Sequence, residues 1–283
     1  MTTDLKTAPV PIAASISASD NHLRTTGIVE LPSRGKLYSD KCPTGLVELF
    51  PITGREEALV AGMTASNVSE IFDIILKRCM KSDPNPALVL SVDEMLSSDK
   101  FYLMLVLRAN SYGSHYEFTT KCPDCGARVD ASCEIPEDFE LKMAPDDFRE
   151  PFTIMLPRLK VNVEFRLLRG KDDADIIRYT RRETSKAHGL EAGDPAFIYR
   201  MAKHVLSVDG KPYEISAALR FIENLIGEDI STLKEAVEET TPGVITALDL
   251  ECQAPRCGNY FKADMPFSAS FFRANKRGKG KSV

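Results

Sequence analysis

Apolar residues recur at helical spacing in two stretches, first at Val68, Ile71, Phe72, Ile75 and Cys79, then at Met95, Leu96, Leu103, Val106 and Leu107, which predicts two core-facing helices. Pro84 and Pro86 separate them. Thr53 followed by Glu56, and Ser91 followed by Glu94, match the capping signal that opens a helix. Before them, Ile28 to Leu31 and Leu46 to Phe50, divided by the turn-rich Pro32-Ser33-Arg34-Gly35-Lys36, predict a short strand pair.

Further along, residues 115 to 134 predict a small hairpin around Cys122 and Cys125, and acidic, proline-marked sequence follows to about Pro151. Strand alternation resumes at Val161, Val163, Phe165 and Leu167. Helical patterns cover roughly 172 to 187 and 195 to 206, and Asp209-Gly210 offers a hairpin turn. Ile215, Ala218, Leu219, Ile222 and Ile226 share one helical face, a further acidic helix runs from about 229 to 239, and Pro242-Gly243 ends it. Ile245 to Glu251 and Tyr260 to Ala263 predict strands beside a second cysteine pair. The expected fold class is α+β: a helical core with short strand pairs and a small four-cysteine metal-bound β module.

The expected organisation is a flexible N-terminal arm over 1–26, a strand pair and helices over 27–114, and the first half of the cysteine module with its linker over 115–149. A helical and hairpin segment over 150–243, the second half of the module over 244–272 and a basic tail over 273–283 complete it. The arm is rich in Thr, Ala, Ser and Pro without periodicity, so it offers little to a core, and its removal is expected to leave folding intact.

Composition narrows the function classes. The 283 residues are 43% apolar, enough for a sizeable core, with no apolar run near the length of a membrane span and no signal-peptide pattern. A net charge of -5 argues against broad nucleic-acid binding, although Arg273, Lys276, Arg277, Lys279 and Lys281 make the tail basic. Seven cysteines without an export signal point to reduced thiols, which leaves metal binding, catalysis or burial.

Cys122-Pro123-Asp124-Cys125-Gly126 is a C-x2-C turn, and Cys252 to Cys257 followed by Gly258 is a looser C-x4-C. Tetrahedral zinc or iron needs soft, deprotonated ligands, and such turns present two sulfurs from one loop. Cys122, Cys125, Cys252 and Cys257 are therefore expected to make a closed, structural metal site, zinc by preference, with an iron-sulfur centre, redox pairing or buried free thiols as the alternatives. Cys133 is expected to be a buried small hydrophobe, and Cys42 and Cys79 core or surface thiols.

Enzyme motifs fare worse. His115-Tyr116-Glu117 ahead of the first cysteine pair superficially resembles the elements of zinc deaminases, but those open two separate helices, and only four residues separate them here. There is no phosphate loop, no H-E-x-x-H and no nucleophile elbow. His188 and His204 read as solvated or core-edge residues, and the paired acids as solvated faces or helix starts.

Five segments, in order, carry a family resemblance: Leu31 to Tyr38, Pro51 to Glu57, Leu107 to Gly113, Lys121 to Cys125, and Met265 to Phe272. The chain resembles the baseplate proteins of T4-type contractile-tail bacteriophages, which include a hub subunit and a hub-assembly factor. That resemblance implies a non-enzymatic structural part of the baseplate hub, in the virion tail and in the host cytoplasm during assembly. Its partners would be other baseplate and tail proteins, with no membrane, substrate or nucleic acid. The alternatives are a hub-assembly chaperone that leaves, and a zinc-ribbon nucleic-acid-binding protein. Phe267, Phe271 and Phe272 are expected to be covered by packing.

Overall fold

The computed structural model describes residues 27–38, 41–64, 67–82, 89–185, 194–266 and 271–272. The N-terminal arm, Pro84, Pro86, His188, Phe267 and the basic tail lie outside these residues. Among the described residues are seven helices and thirteen short strands, an α+β fold.

Strands β1 (Gly27–Glu30) and β2 (Leu46–Leu49) pair antiparallel with Val29 opposite Val47. A third strand, β3 (Met80–Lys81), joins the other edge of β2. Helix α1 (Gly54–Ala61) starts at the expected capping box, in which Thr53 accepts from the Arg55 N–H and Glu56 reaches back to the Thr53 N–H at 3.2 Å. Helix α2 (Val68–Cys79) buries Phe72, Ile75, Leu76 and Cys79, the stripe set by its periodicity. The Ser91 signal, by contrast, opens only a turn. Leu96 is extended and bridges to Arg169, so the helix begins afterwards as α3 (Ser97–Tyr112).

Helix α3 is enclosed rather than one-faced, for every residue from Leu103 to Ala109 is buried. Several of its polar members find partners, although Arg108 Nε and the Asn110 amide are buried without a hydrogen bond. Asp99 accepts from the Ser33 N–H at 3.0 Å, from the Ser33 hydroxyl and from the Tyr38 hydroxyl at 2.5 Å, and the Leu96 N–H donates to that same tyrosine oxygen. Burial pushes the Asp99 carboxyl above its usual range, against the pull of these donors. Lys100 pairs with Asp73 at 3.0 Å and Asp173 at 2.7 Å, linking α3 to the helices on either side. At the other end the fully buried Arg108 donates to the Gly113 and His115 carbonyls and stacks over the rings of Tyr116 and Phe271. Phe271 and Phe272 are themselves fully buried. Phe272 lies against Phe72 and Tyr112, and Phe271 against Tyr116, so the last described residues close the core.

The middle of the chain builds a four-stranded sheet in the order β10-β9-β8-β7, from β7 (Phe152–Met155), β8 (Asn162–Phe165), β9 (Val205–Val208) and β10 (Lys211–Pro212). The Asp209-Gly210 turn joins the last two, with Lys211 opposite Val208 as expected. Helices α4 (Gly170–Thr184), α5 (Pro195–His204), α6 (Ile215–Glu223) and α7 (Gly227–Thr240) accompany it. Strand β6 (Glu140–Lys142), within the acidic linker, pairs with β11 (Gly243–Ile245) after α7. No helix among the described residues is long and apolar enough to cross a membrane.

Two measurements test this packing. Phe272→Ala removes a fully enclosed ring and should lower the unfolding free energy by roughly 3 to 5 kcal/mol in denaturant titration, whereas Ile28→Ala, on an exposed position, should change it by under about 0.5 kcal/mol. The second concerns His204, whose Nδ1–H donates to the Arg166 carbonyl at 2.7 Å. Burial pulls this imidazole down to about 4, although the carbonyl favours the charged ring. The unfolded chain therefore takes up the proton first. The contribution of neutral His204 is intact above the ordinary value of 6.5 and declines as pH falls from there to about 4, by on the order of 3 kcal/mol. In pH-dependent denaturation, His204→Gln should flatten that decline relative to the parent chain.

Candidate metal centre

Two hairpins carry the cysteines. Strands β4 (His115–Lys121) and β5 (Arg128–Glu134) pair from His115 opposite Glu134 to Lys121 opposite Arg128, and Cys122 and Cys125 lie in the turn between them. Strands β12 (Ala247–Glu251) and β13 (Tyr260–Asp264) pair from Ala247 opposite Asp264 to Glu251 opposite Tyr260, with Cys252 and Cys257 in their turn. Each turn is closed by the first cysteine's own backbone: the Cys122 N–H donates to the Ala127 carbonyl and the Cys252 N–H to the Asn259 carbonyl, both at 2.9 Å. Gly126 at φ +70° and Gly258 at φ +60° take the left-handed conformation that brings the chain back into the second strand.

The tips meet. All four sulfurs lie within 4.8 Å of one another, although the two pairs are more than a hundred residues apart. Cys122 Sγ is 3.8 Å from Cys257 Sγ, and Cys125 Sγ is 3.6 Å from Cys252 Sγ. A tetrahedral ion with metal–sulfur bonds of about 2.3 Å requires sulfur–sulfur separations of about 3.8 Å, while a disulfide requires about 2.0 Å. The arrangement fits an ion and not a bond between sulfurs. Cys122 and Cys252 are buried, Cys257 is half-buried and Cys125 is exposed, and Val129, Ala127, Ala254 and Phe261 form an apolar shell around them.

Local dipoles favour thiolate at this cluster. The N–H groups of Cys125 and Asp124 point at the Cys122 sulfur and draw it down to about 6, against desolvation. The Asn259 N–H favours the Cys257 thiolate in the same way, but desolvation and the facing sulfurs of Cys125, Cys252 and Cys122 outweigh it and push Cys257 up to about 12. Cys252 is raised too, despite the Ala254 N–H at its sulfur. Cys252 and Cys257 thus resist ionising among the facing sulfurs. A divalent cation reverses that balance by supplying the opposite charge to every sulfur at once. Asp124 and Asn259, which sequence reasoning did not single out, also touch the cluster: Cys257 Sγ lies 3.8 Å from the Asp124 carboxylate, and Asn259 Nδ2 lies 3.9 Å from Cys122 Sγ.

The remaining cysteines are elsewhere. Cys133, on β5, and Cys42 and Cys79 are all buried in the main core. Burial pushes Cys79 up to about 11 and Cys133 up to about 12. His115 and Glu117 sit two residues apart on exposed positions of one strand, not on two facing helices, and the His115 ring lies 2.9 Å from Glu134.

Comparison with family models matches residues 26–273 to the T4 bacteriophage base plate protein. Neither the curated proteins nor the solved structures gave a match. The family match runs from before β1 through both cysteine hairpins to the buried phenylalanines, and the chain belongs to the T4 bacteriophage base plate protein family.

Proposed function

We propose that this chain is a structural component of the baseplate hub of a contractile-tailed phage, and that Cys122, Cys125, Cys252 and Cys257 hold one structural zinc ion. The family match over residues 26–273 carries the first half of this reading. Its partners are other baseplate and tail proteins, met in the host cytoplasm during assembly and retained in the tail. The sulfur cluster supports the second half. Four thiolates complete a tetrahedral shell and leave no open position for a substrate, which favours a structural over a catalytic ion. Zinc is preferred to an iron-sulfur cluster because a polynuclear cluster interposes its own iron and sulfide between the cysteines, and sulfurs within 4.8 Å leave room for a single ion.

Mass spectrometry of purified tails tests the hub assignment. A component should be present at a fixed ratio to the tail-tube protein, whereas its absence from tails that need it to form would mark it as an assembly chaperone.

Elemental analysis tests the ion. The purified chain should hold about one zinc, and Cys252→Ser and Cys122→Ser should each reduce that well below one per chain and loosen both hairpins to protease together. Cys42→Ser and Cys79→Ser should leave the metal content unchanged. Full occupancy in Cys252→Ser would remove the four-thiolate site.

A further inference from the structure

The cysteines that face each other belong to different hairpins. Cys125 Sγ lies 3.6 Å from Cys252 Sγ and Cys122 Sγ lies 3.8 Å from Cys257 Sγ. Within each turn the backbone is already pinned, by Gly126 N–H to Cys122 carbonyl at 3.0 Å in one and Cys257 N–H to Ala254 carbonyl at 3.1 Å in the other. The sulfurs in closest contact are therefore those of different turns. The facing sulfurs across the hairpins are already in contact, and a bond between Cys125 and Cys252 closes 3.6 Å to about 2.0 Å. Access is uneven as well: Cys125 is exposed, whereas its partner Cys252 is buried.

We propose that Cys125 and Cys252 form an oxidation site, at which a low-molecular-weight disulfide such as oxidised glutathione joins the two hairpins covalently in place of the ion. This rests on the structural metal reading for the ion that is displaced, and on the paired sulfurs alone for the bond that forms. In the first step the exposed Cys125 thiolate attacks oxidised glutathione. The glutathione S–S bond breaks, one glutathione leaves as its thiolate, and Cys125 carries the other. The Cys252 sulfur then attacks the Cys125 sulfur, and the second glutathione leaves. The cysteines give up two electrons, the oxidant becomes two glutathione thiols after taking two protons from solvent, and the ion, deprived of two ligands, departs.

The consequence is a module that stays closed when it passes from a reducing to an oxidising medium. The tether between segments 127 residues apart changes from a metal to a disulfide. Cys122 and Cys257 provide a second, more enclosed pair for the same chemistry once the first bond has formed. Cys79 and Cys133 stay reduced, because both are buried in the core and their thiols are held protonated.

The full-length purified chain is incubated with excess oxidised glutathione, zinc release is followed with a chromophoric chelator, and disulfides are mapped by peptide mass spectrometry without reduction. The expected result is a peptide pair joined through Cys125 and Cys252, appearing together with release of the ion. Cys133→Ser should give the same map, and Cys125→Ser should lose that link. Links confined to Cys122–Cys125 or Cys252–Cys257, stable mixed disulfides, links between chains, or thiols that stay unreacted would each overturn the proposal. Elemental analysis of the same sample before oxidation separates the two claims. A metal-free chain that still joins Cys125 to Cys252 removes the ion and keeps the oxidation site, and a zinc-loaded chain that closes only its own turns does the reverse.

Discussion

Seven consecutive buried residues, Leu103 to Ala109, leave α3 with no side turned to water, so every segment that approaches it has to bring apolar surface or fully satisfied polar groups. The chain meets that demand from both ends. Near the start of the helix, the loop carrying Ser33 and Tyr38 supplies three donors to the buried Asp99 carboxylate. Near its end, Phe271 and Phe272 arrive from the far terminus of the described chain and cover Arg108 and Tyr112. An enclosed central helix thus makes neighbours of residues separated by most of the sequence.

The cysteine module sits on the path that makes this possible. Strand β4 leaves α3 after a single turn at Gly113 and Ser114, and β13 leads through Met265, also buried in the core, towards the terminal phenylalanines. Each hairpin leaves the core and returns to it, for Ile135 directly after β5 and Leu156, Phe165 and Leu233 between the two hairpins all belong to the main core. Each is only two strands wide and buries little apolar surface at its tip, where the satellite cluster consists of Cys122, Val129 and Cys252 with a few half-buried neighbours. A pair of such ribbons has little hydrophobic reason to hold its tips together. Four converging sulfurs would provide the missing attraction with one ion bound among them.

Much of this was legible in the sequence, for identifiable reasons. The periodicity of α2, the capping box of α1, the Asp209-Gly210 turn and the two cysteine turns are local signals, each contained within a dozen residues, and the structure follows them. The grouping of the four cysteines was legible because ligand chemistry restricts which residues can meet. Other features depend on distant neighbours. Strand β3 is two residues long and exists because β2 offers an edge, β6 hides in an acidic linker until β11 pairs with it, and the Ser91 turn fails to propagate because Leu96 is held extended against Arg169. The burial of α3 on all sides belongs to the same class, since its periodicity announced one apolar face and only the surrounding segments enclose the rest. Asp124 and Asn259 could not be picked out from spacing, because their role follows from how the two tips face each other.

The central claim is that one ion is shared by both hairpins, and X-ray absorption at the zinc edge of the purified chain examines it without altering any residue. The account predicts a first shell of four sulfurs at about 2.3 Å with no second metal nearby. A shell containing nitrogen or oxygen, fewer than four sulfurs, or a metal neighbour would contradict it.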